Sequence, residues 1–407
     1  MVPKLRFKGF HSQWFNSLLG DIGTFKNGLN KDKSEFGYGV PFVNLMDVFG
    51  KLEIKDNKNL SLVNANKKEV KDYSLLNGDV LFIRSSVKPT GVGETSVVTE
   101  DLENTVFSGF LIRYRNKSLL TGYKKHCFWH HRFRTRLLSL STTSANTNIN
   151  QDSLSSLDIN IPCEAEQKKI ADFLSSVDAK IALLDKQYKQ LYQYKKGMMQ
   201  KIFSQEVRFK DEYGEEFPDW EESLLSERIN VQGGFAFKSQ LFSEKASTKV
   251  LRIGDISEEI DLSAFSGIFS TETPAIRYQV NKGDFVMALS GATFGKMGII
   301  KCESAFINQR VATFRLLNGA TDTLSFYYYY MSTMKFNNYI NSIPTASAQP
   351  NISNKDIEQY LSYIPTKKEQ TKIANFLSAL DDKIAIKKVE LDRLKTWKQG
   401  LLQQMFV

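Results

Sequence analysis

The sequence predicts an α+β protein organised as a pseudo-twofold tandem repeat: two mixed α/β domains joined by two long helices that form an antiparallel coiled coil. Three observations carry this. Residues 166–182, EQKKIADFLSSVDAKIA, return at 369–385 as EQTKIANFLSALDDKIA, 203 positions later, with 12 of 17 positions identical and no gap. Both copies continue into a sustained 3.5-residue apolar repeat. The segments before them match more weakly but in the same order, so that residues 161–204 align with 364–407 and residues 142–162 with 345–365.

Four segments follow in order: a first domain over 1–160, a helical region over 161–205, a second domain over 206–363 and a helical region over 364–407. Each domain opens alike, LRFKGF…Trp14…SLL against VRFKDE…Trp220…SLL. GDVLFIRSS (78–86) and GDFVMALSG (283–291) each read as a turn, a β-rich run and a loop beginning with serine. YKKHCFWHHRFRTRLLSL (123–140) and SFYYYYMSTMKFNNYI (325–340) read as helices.

Pro162 and Pro365 stand where a strand or loop ends and a helix can begin. Beyond them the seam is formed by Ile170, Leu174, Val177, Ile181, Leu184 and Leu191 in one copy. In the other it is formed by Ile373, Leu377, Leu380, Ile384, Leu391 and Leu394. Lys195, Lys387 and Lys398 interrupt it. About 40 residues of helix run about 60 Å, and a narrow stripe of that length needs a partner of similar length. Each copy can supply one for the other, and a homodimeric pairing is the alternative.

Composition narrows the class. Hydrophobic residues make up 42% and charged residues 24% of the 407, as in globular proteins. Three scattered cysteines, Cys127, Cys163 and Cys302, make no disulfide framework, and MVPKLRFKGF lacks a signal-peptide core. A cytoplasmic protein with no membrane segment is expected. The net charge of +9 is uneven, +7, +3, −5 and +4 over the four segments, so a polyanion partner would meet local basic faces only.

Motifs for chemistry are missing. GATFGKMG (291–298) is one residue short of a phosphate-binding loop and has Met297 where a hydroxyl is needed. HCFWHH (126–131) puts His126 and His130 four apart, but no glutamate lies between them and Cys127 falls on another face. An exposed or phosphate-contacting face is expected there, and no metal. Tyr327 to Tyr330 read as core packing rather than base stacking. The chain carries no nucleophile triad, nuclease carboxylate cluster or methyl-donor loop, and reads as non-catalytic.

What recurs at matched places is a set of loops rich in groups that contact phosphates and base edges. In the first domain these are Lys26, Asn27, Asn30, Lys31, Lys33, Arg84, Ser85, Lys88 and Thr90. In the second they are Gln232, Lys238, Ser239, Ser290, Thr293, Lys296, Asn308, Gln309 and Arg310.

The opening PKLRFKGF…W, the elements IPCEAEQKKIADFLSSVDAKI and IPTKKEQTKIANFLSALDDKI, and SGATFGKMGI with INQR together resemble the specificity subunit of type I restriction-modification systems. The resemblance covers essentially the whole chain. It implies two target-recognition domains, each reading one half of a split, asymmetric double-stranded DNA sequence, with the paired helices as spacer. It also implies two adenine-N6 methyltransferase subunits as partners, restriction (motor-nuclease) subunits, and S-adenosylmethionine bound by the methyltransferase, not by this chain. The first domain departs from the second, with RSSVKPTG for LSGATFGK and SGF (108–110) for NQR (308–310), as expected if the half-sites differ. Three rival classes remain: a coiled-coil scaffold, a homodimeric DNA binder, and a stand-alone nuclease or methyltransferase.

Overall fold

A computed structural model describes residues 2–143, 146–343 and 350–407. The chain forms two compact units, Met1–Lys186 with Lys388–Val407, and Gln187–Lys387. This division cuts both long helices near their middles rather than setting them apart as separate segments. Each unit holds one α/β domain, the first half of the helix that follows it and the second half of the other helix.

Unit 1 contains β1 (Phe15–Leu18), β2 (Gly23–Asn27), β3 (Glu53–Ile54), β4 (Val80–Ile83), β5 (Thr95–Val98) and β6 (Leu111–Asn116), then helices α1 (Thr121–Cys127) and α2 (His131–Ser139), and β7 (Asp158–Ile161). The central sheet runs β2-β6-β4-β5-β3, antiparallel except for the β3/β5 pair. All four residues of β4 are buried, as an apolar run covered on both faces must be. The turn into β4 needs Gly78 at φ +86°, and Asp79 after it pairs with Arg115 at 2.6 Å. Strands β1 and β7 pair apart from the sheet and bring the end of the domain back to its beginning.

Helix α3 (Glu164–Phe203) follows, and unit 2 repeats the plan: β8 (Glu221–Leu224), β9 (Ile229–Gly233), β10 (Glu259–Asp261), β11 (Phe285–Ala288), β12 (Met297–Cys302) and β13 (Val311–Leu316), helices α4 (Leu324–Met331) and α5 (Met334–Ser342), β14 (Leu361–Ile364) and α6 (Lys367–Met405). Its sheet runs β9-β13-β11-β12-β10, the same order with the same parallel pair at one edge. The β11 turn repeats too, with Gly283 at φ +93° and Asp284 paired with Arg315 at 2.5 Å. The domains differ in their second sheets, three strands in unit 1 and four in unit 2.

Two helical expectations need correction. Residues 123–140 are not one helix: α1 stops at Cys127, and His130, extended at φ −73° and ψ 150°, precedes α2. His126 and His130 therefore do not share a helix face. Neither is exposed. Both rings are buried, and His130 stacks on Phe406 at 5.5 Å between centroids. Residues 325–340 likewise break after Met331, where the Thr333 hydroxyl accepts from the Phe336 N–H to cap α5. Tyr327 to Tyr330 are all buried. The Tyr327 hydroxyl donates to Asp322 at 2.6 Å and that of Tyr329 to Asp381 at 2.8 Å, so these two buried phenols keep partners.

The long helices pair antiparallel within each unit. In unit 1, Ile170, Leu174 and Val177 are buried in one cluster with Leu401, Met405 and Phe406, while Ile181 and Leu394 pack at its margin. Leu184 and Leu391 are buried as well. In unit 2, Ile373, Leu377 and Leu380 share a cluster with Ile202, and Ile384 and Leu191 are half-buried. These clusters also take in domain residues, Tyr123 and Leu119 in unit 1 and Phe326 and Tyr330 in unit 2, so the seam is a three-way contact where helices meet domain. Two of the three seam lysines are neutralised in kind: Lys398 meets Asp178 and Lys195 meets Asp381, each at 2.5 Å, and the two pairs are related by the 203-residue offset.

The repeated Glu-Gln gives each helix a buried polar clasp. Glu166 accepts from the Arg6 guanidinium at 2.7 Å through both oxygens and from the Trp14 indole at 3.1 Å. Glu369 holds Arg208 and Trp220 likewise, at 2.8 and 3.2 Å. Gln167 accepts from the Leu120 N–H and donates to the Pro162 carbonyl; Gln370 does the same with Thr323 and Pro365. All four side chains are buried. A polar group buried without a partner is costly, so this pattern tolerates little change.

Candidate nucleic-acid interface

In each central sheet, β2, β4 and β6, or β9, β11 and β13, bring three chain segments to one end. Asn27 lies opposite Ile112, Ile83 opposite Leu111, and Gly28 is so close to the Ser108 carbonyl that a Cβ there would sit 2.1 Å from it. Gly234 meets the Asn308 carbonyl at the same distance. Glycine is required at both places because backbone passes backbone. Two more bonds fix the correspondence: the Arg84 N–H donates to the Phe110 carbonyl at 2.8 Å, and the Leu289 N–H to the Arg310 carbonyl at 2.9 Å. Phe110 and Arg310 thus occupy one structural position.

In unit 2 this end gathers Gln232, Ser290, Thr293, Lys296, Asn308, Gln309 and Arg310. Lys296, Gln309 and Arg310 are exposed. The Arg310 guanidinium donates to Asn351 at 3.2 Å, and Ser290 bridges to Asn351 through the backbone. Gln232 and Thr293 point their donors inward, to the carbonyls of Gly233 and Ile253. Asn308 is half-buried, and its N–H donates to the Leu251 carbonyl. Lys238 and Ser239 are exposed on the loop after β9. Residues 291–293 form one short helical turn, and Met297 begins β12, so GATFGKMG is a hairpin turn.

In unit 1 the same end holds Asn27, Asn30, Arg84, Ser85, Lys88 and Thr90, with Lys33 on the loop beyond. Asn30, Lys33, Lys88 and Thr90 are exposed. Arg84 is half-buried and reaches the Gly109 carbonyl at 3.5 Å; Ser85 pairs with Asn148 in a small sheet. Two lysines turn away. Lys31 is held between Glu35 at 3.2 Å and Glu69 at 2.9 Å, and Lys26 lies over the Tyr73 ring at 4.4 Å. Their charges are answered inside the domain, unlike those of the exposed Lys33 and Lys88.

Sequence reasoning passed over Asn351, Arg252, Val87 and Phe110. Asn351 was legible through its alignment with Asn148, since both bridge a serine at the start of a loop. Arg252 leans on Asp255 beside the 291–293 turn, and only the fold brings it there. Among the described residues no group of three or more His, Cys, Asp or Glu is placed to hold a metal, and no helix is long and apolar enough to cross a membrane.

Known proteins share this arrangement. The chain matches the family model described as type I restriction modification DNA specificity domain twice, over residues 11–193 and 218–396. It is 31% identical over 258 residues to the type I restriction enzyme MjaVIII specificity subunit of Methanocaldococcus jannaschii, a match covering 60% of each chain. It is 24% identical over 405 residues to the putative MjaX specificity subunit of the same organism, covering 96% of this chain and 92% of that one. Among solved structures, the S subunit of the M. genitalium type I restriction-modification system superposes with a TM-score of 0.60 at 16% identity, over 100% of this chain and 99% of that one. A chain from a structure on complex assembly and conformational transition of the type I R-M system gives 0.57 at 14% identity, over 97% and 98%. Those two likenesses speak for the fold. With both halves matched by the family's own pattern, the chain belongs to the type I restriction-modification DNA specificity family.

Proposed function

We propose that this chain reads a bipartite, asymmetric DNA target, one half-site per domain, and brings an adenine-N6 methyltransferase and a motor-nuclease to it without catalysing a reaction itself. The observation that carries this reading is the contrast between the two sheet ends. Their strand ends share the backbone bond that sets Arg84 against Phe110 and Leu289 against Arg310, while the side chains at those positions differ. Equal scaffolds with unequal donor sets are what two different half-sites require. Exposed Lys33, Lys88, Lys238 and Lys296 would dock phosphates, and the amide and guanidinium groups near them would read base edges.

The long helices would set the spacer, about one DNA turn or roughly 34 Å. They would also carry the partners. Leu183 and Ile386 are exposed apolar residues 203 positions apart, and so are Tyr194 and Trp397. Solvent-facing apolar side chains repeated at the repeat's own offset suit two copies of one protein. S-adenosylmethionine belongs on that methyltransferase, which would extrude the target adenine from the stack.

The test is to map N6-methyladenine in a host carrying the chain and its partners, then insert one heptad in phase into each long helix. Seven residues add about 10.5 Å, near three base pairs. A spacer lengthened by about that much between unchanged half-sites is expected. Unchanged spacing, or methylation at undivided sites, would defeat the reading.

A further inference from the structure

Unit 1 carries two bare apolar tips within its polar sheet end. Phe110 is 57% exposed and Val87 81% exposed. Phe110 is not a loose side chain. Its carbonyl accepts from Arg84, its N–H donates to the Ser108 hydroxyl at 3.2 Å, and the Gly109 N–H donates to the Leu29 carbonyl at 2.7 Å. A Cβ on Gly109 would lie 1.9 Å from the Asn30 side-chain oxygen, so the turn is closed on that side too. The ring is therefore presented from a fixed backbone, at the place where unit 2 presents Arg310.

An exposed phenyl ring so placed adds nothing to its own domain's core. A protein partner would call for a continuous apolar patch, whereas the Phe110 turn is built against the polar side chains of Arg84 and Asn30. That mixture of cation, amide and isolated apolar group matches a DNA major groove, whose one apolar feature is the thymine C5-methyl.

Resting on the function proposed above, we propose that Phe110 is a specificity-determining residue of the first domain. Its ring packs on the C5-methyl of a thymine, so the half-site read by unit 1 contains an A·T pair at that position.

The experiment uses the full chain with its partner methyltransferase and duplexes carrying the methylation-mapped target. Each thymine of the unit 1 half-site is replaced in turn by deoxyuridine, which removes only the methyl group. At one position, wild-type affinity should fall roughly three- to tenfold. Phe110→Ala should bind the thymine duplex more weakly by a similar factor and should no longer distinguish thymine from uracil there, while its salt dependence stays that of wild type. Lys88→Ala should do the reverse, lowering the salt slope and keeping the discrimination. The inference is overturned if the half-site has no thymine on either strand, if no uracil substitution matters, or if Phe110→Ala discriminates as wild type does. It is overturned equally if that variant loses affinity alike on thymine and uracil duplexes, the mark of an intercalating wedge. Failure of the unmodified target duplex to bind at all would strike the bipartite reading instead.

Discussion

Replacing Glu166 with alanine removes one carboxylate and three hydrogen bonds at once. The Arg6 guanidinium loses both oxygens, at 2.7 Å each, and the buried Trp14 indole N–H is left facing apolar neighbours. Truncating one member of a buried charged pair costs about 3–5 kcal/mol, and Arg6 keeps some access to water and a bond to the Ser12 carbonyl. The lower end, about 3 kcal/mol, is therefore expected. Because the chain has two units, one global unfolding energy would mix them. Hydrogen exchange by residue is the sharper assay. Glu166→Ala should speed exchange at the start of α3 and around residues 116–121 by about two orders of magnitude, leaving unit 2 unchanged. Glu369→Ala should produce the mirror result at the start of α6 and around Thr323. Arg6→Ala combined with Glu166→Ala should cost little more than Glu166→Ala alone. An effect below about 1 kcal/mol, or one spread evenly over both units, would refute the clasp as an energetic anchor.

Asp381→Ala should destabilise unit 2 by about 1–3 kcal/mol, because the Lys195 ammonium and the Tyr329 hydroxyl both lose their partner; Lys195→Met with Asp381→Leu should recover only the Lys195 share of that loss in thermal melts, and adding Tyr329→Phe should recover most of the rest. Burial, reinforced by Lys398 and Lys125, depresses His126 from 6.5 to about 3, and burial with Arg132 and His131 depresses His130 to about 4. The unfolded chain then takes up these protons first, so unit 1 loses stability as pH falls below about 6.5, by about 2 kcal/mol per histidine at pH 5. His130→Phe, which preserves the stack on Phe406, should flatten the melting-temperature slope between pH 7 and 5. On the partner arrangement proposed above, Leu183→Glu should remove one of two bound methyltransferase copies, read by native mass spectrometry, and Leu183→Glu with Ile386→Glu should abolish binding. Arg310→Ala should weaken DNA binding and relax selectivity in one half-site only, whereas Lys31→Ala should lower unit 1 stability and leave DNA affinity intact.

The repeat, the long helices, the two mixed domains and the tyrosine core were open to reading because each shows in local periodicity or in the comparison of one half with the other. What stayed hidden depends on contacts distant in sequence. Lys31 is like any loop lysine until Glu69, 38 residues away, folds against it. The Glu-Gln clasp is visible as a repeated word, but Arg6 and Trp14 become its partners only when the domain's opening returns to the helix start. The helix expected over 123–140 breaks because His130 turns inward to stack, and nothing in its neighbours' spacing reports that. Phe110 carries no mark of its role in its neighbours; its exposure follows from a turn closed by Leu29, Asn30 and Arg84.

Unit 1 is discontinuous, its core finished by Leu401, Met405 and Phe406, whereas unit 2 is a single stretch of chain. A ribosome therefore releases everything needed for the second reader before the first can close. Until those late side chains arrive, Tyr123, Leu174 and Val177 present an open apolar socket, and synthesis arrested anywhere before them should yield a first domain prone to capture by chaperones. The earlier domain to be made is the later one to mature.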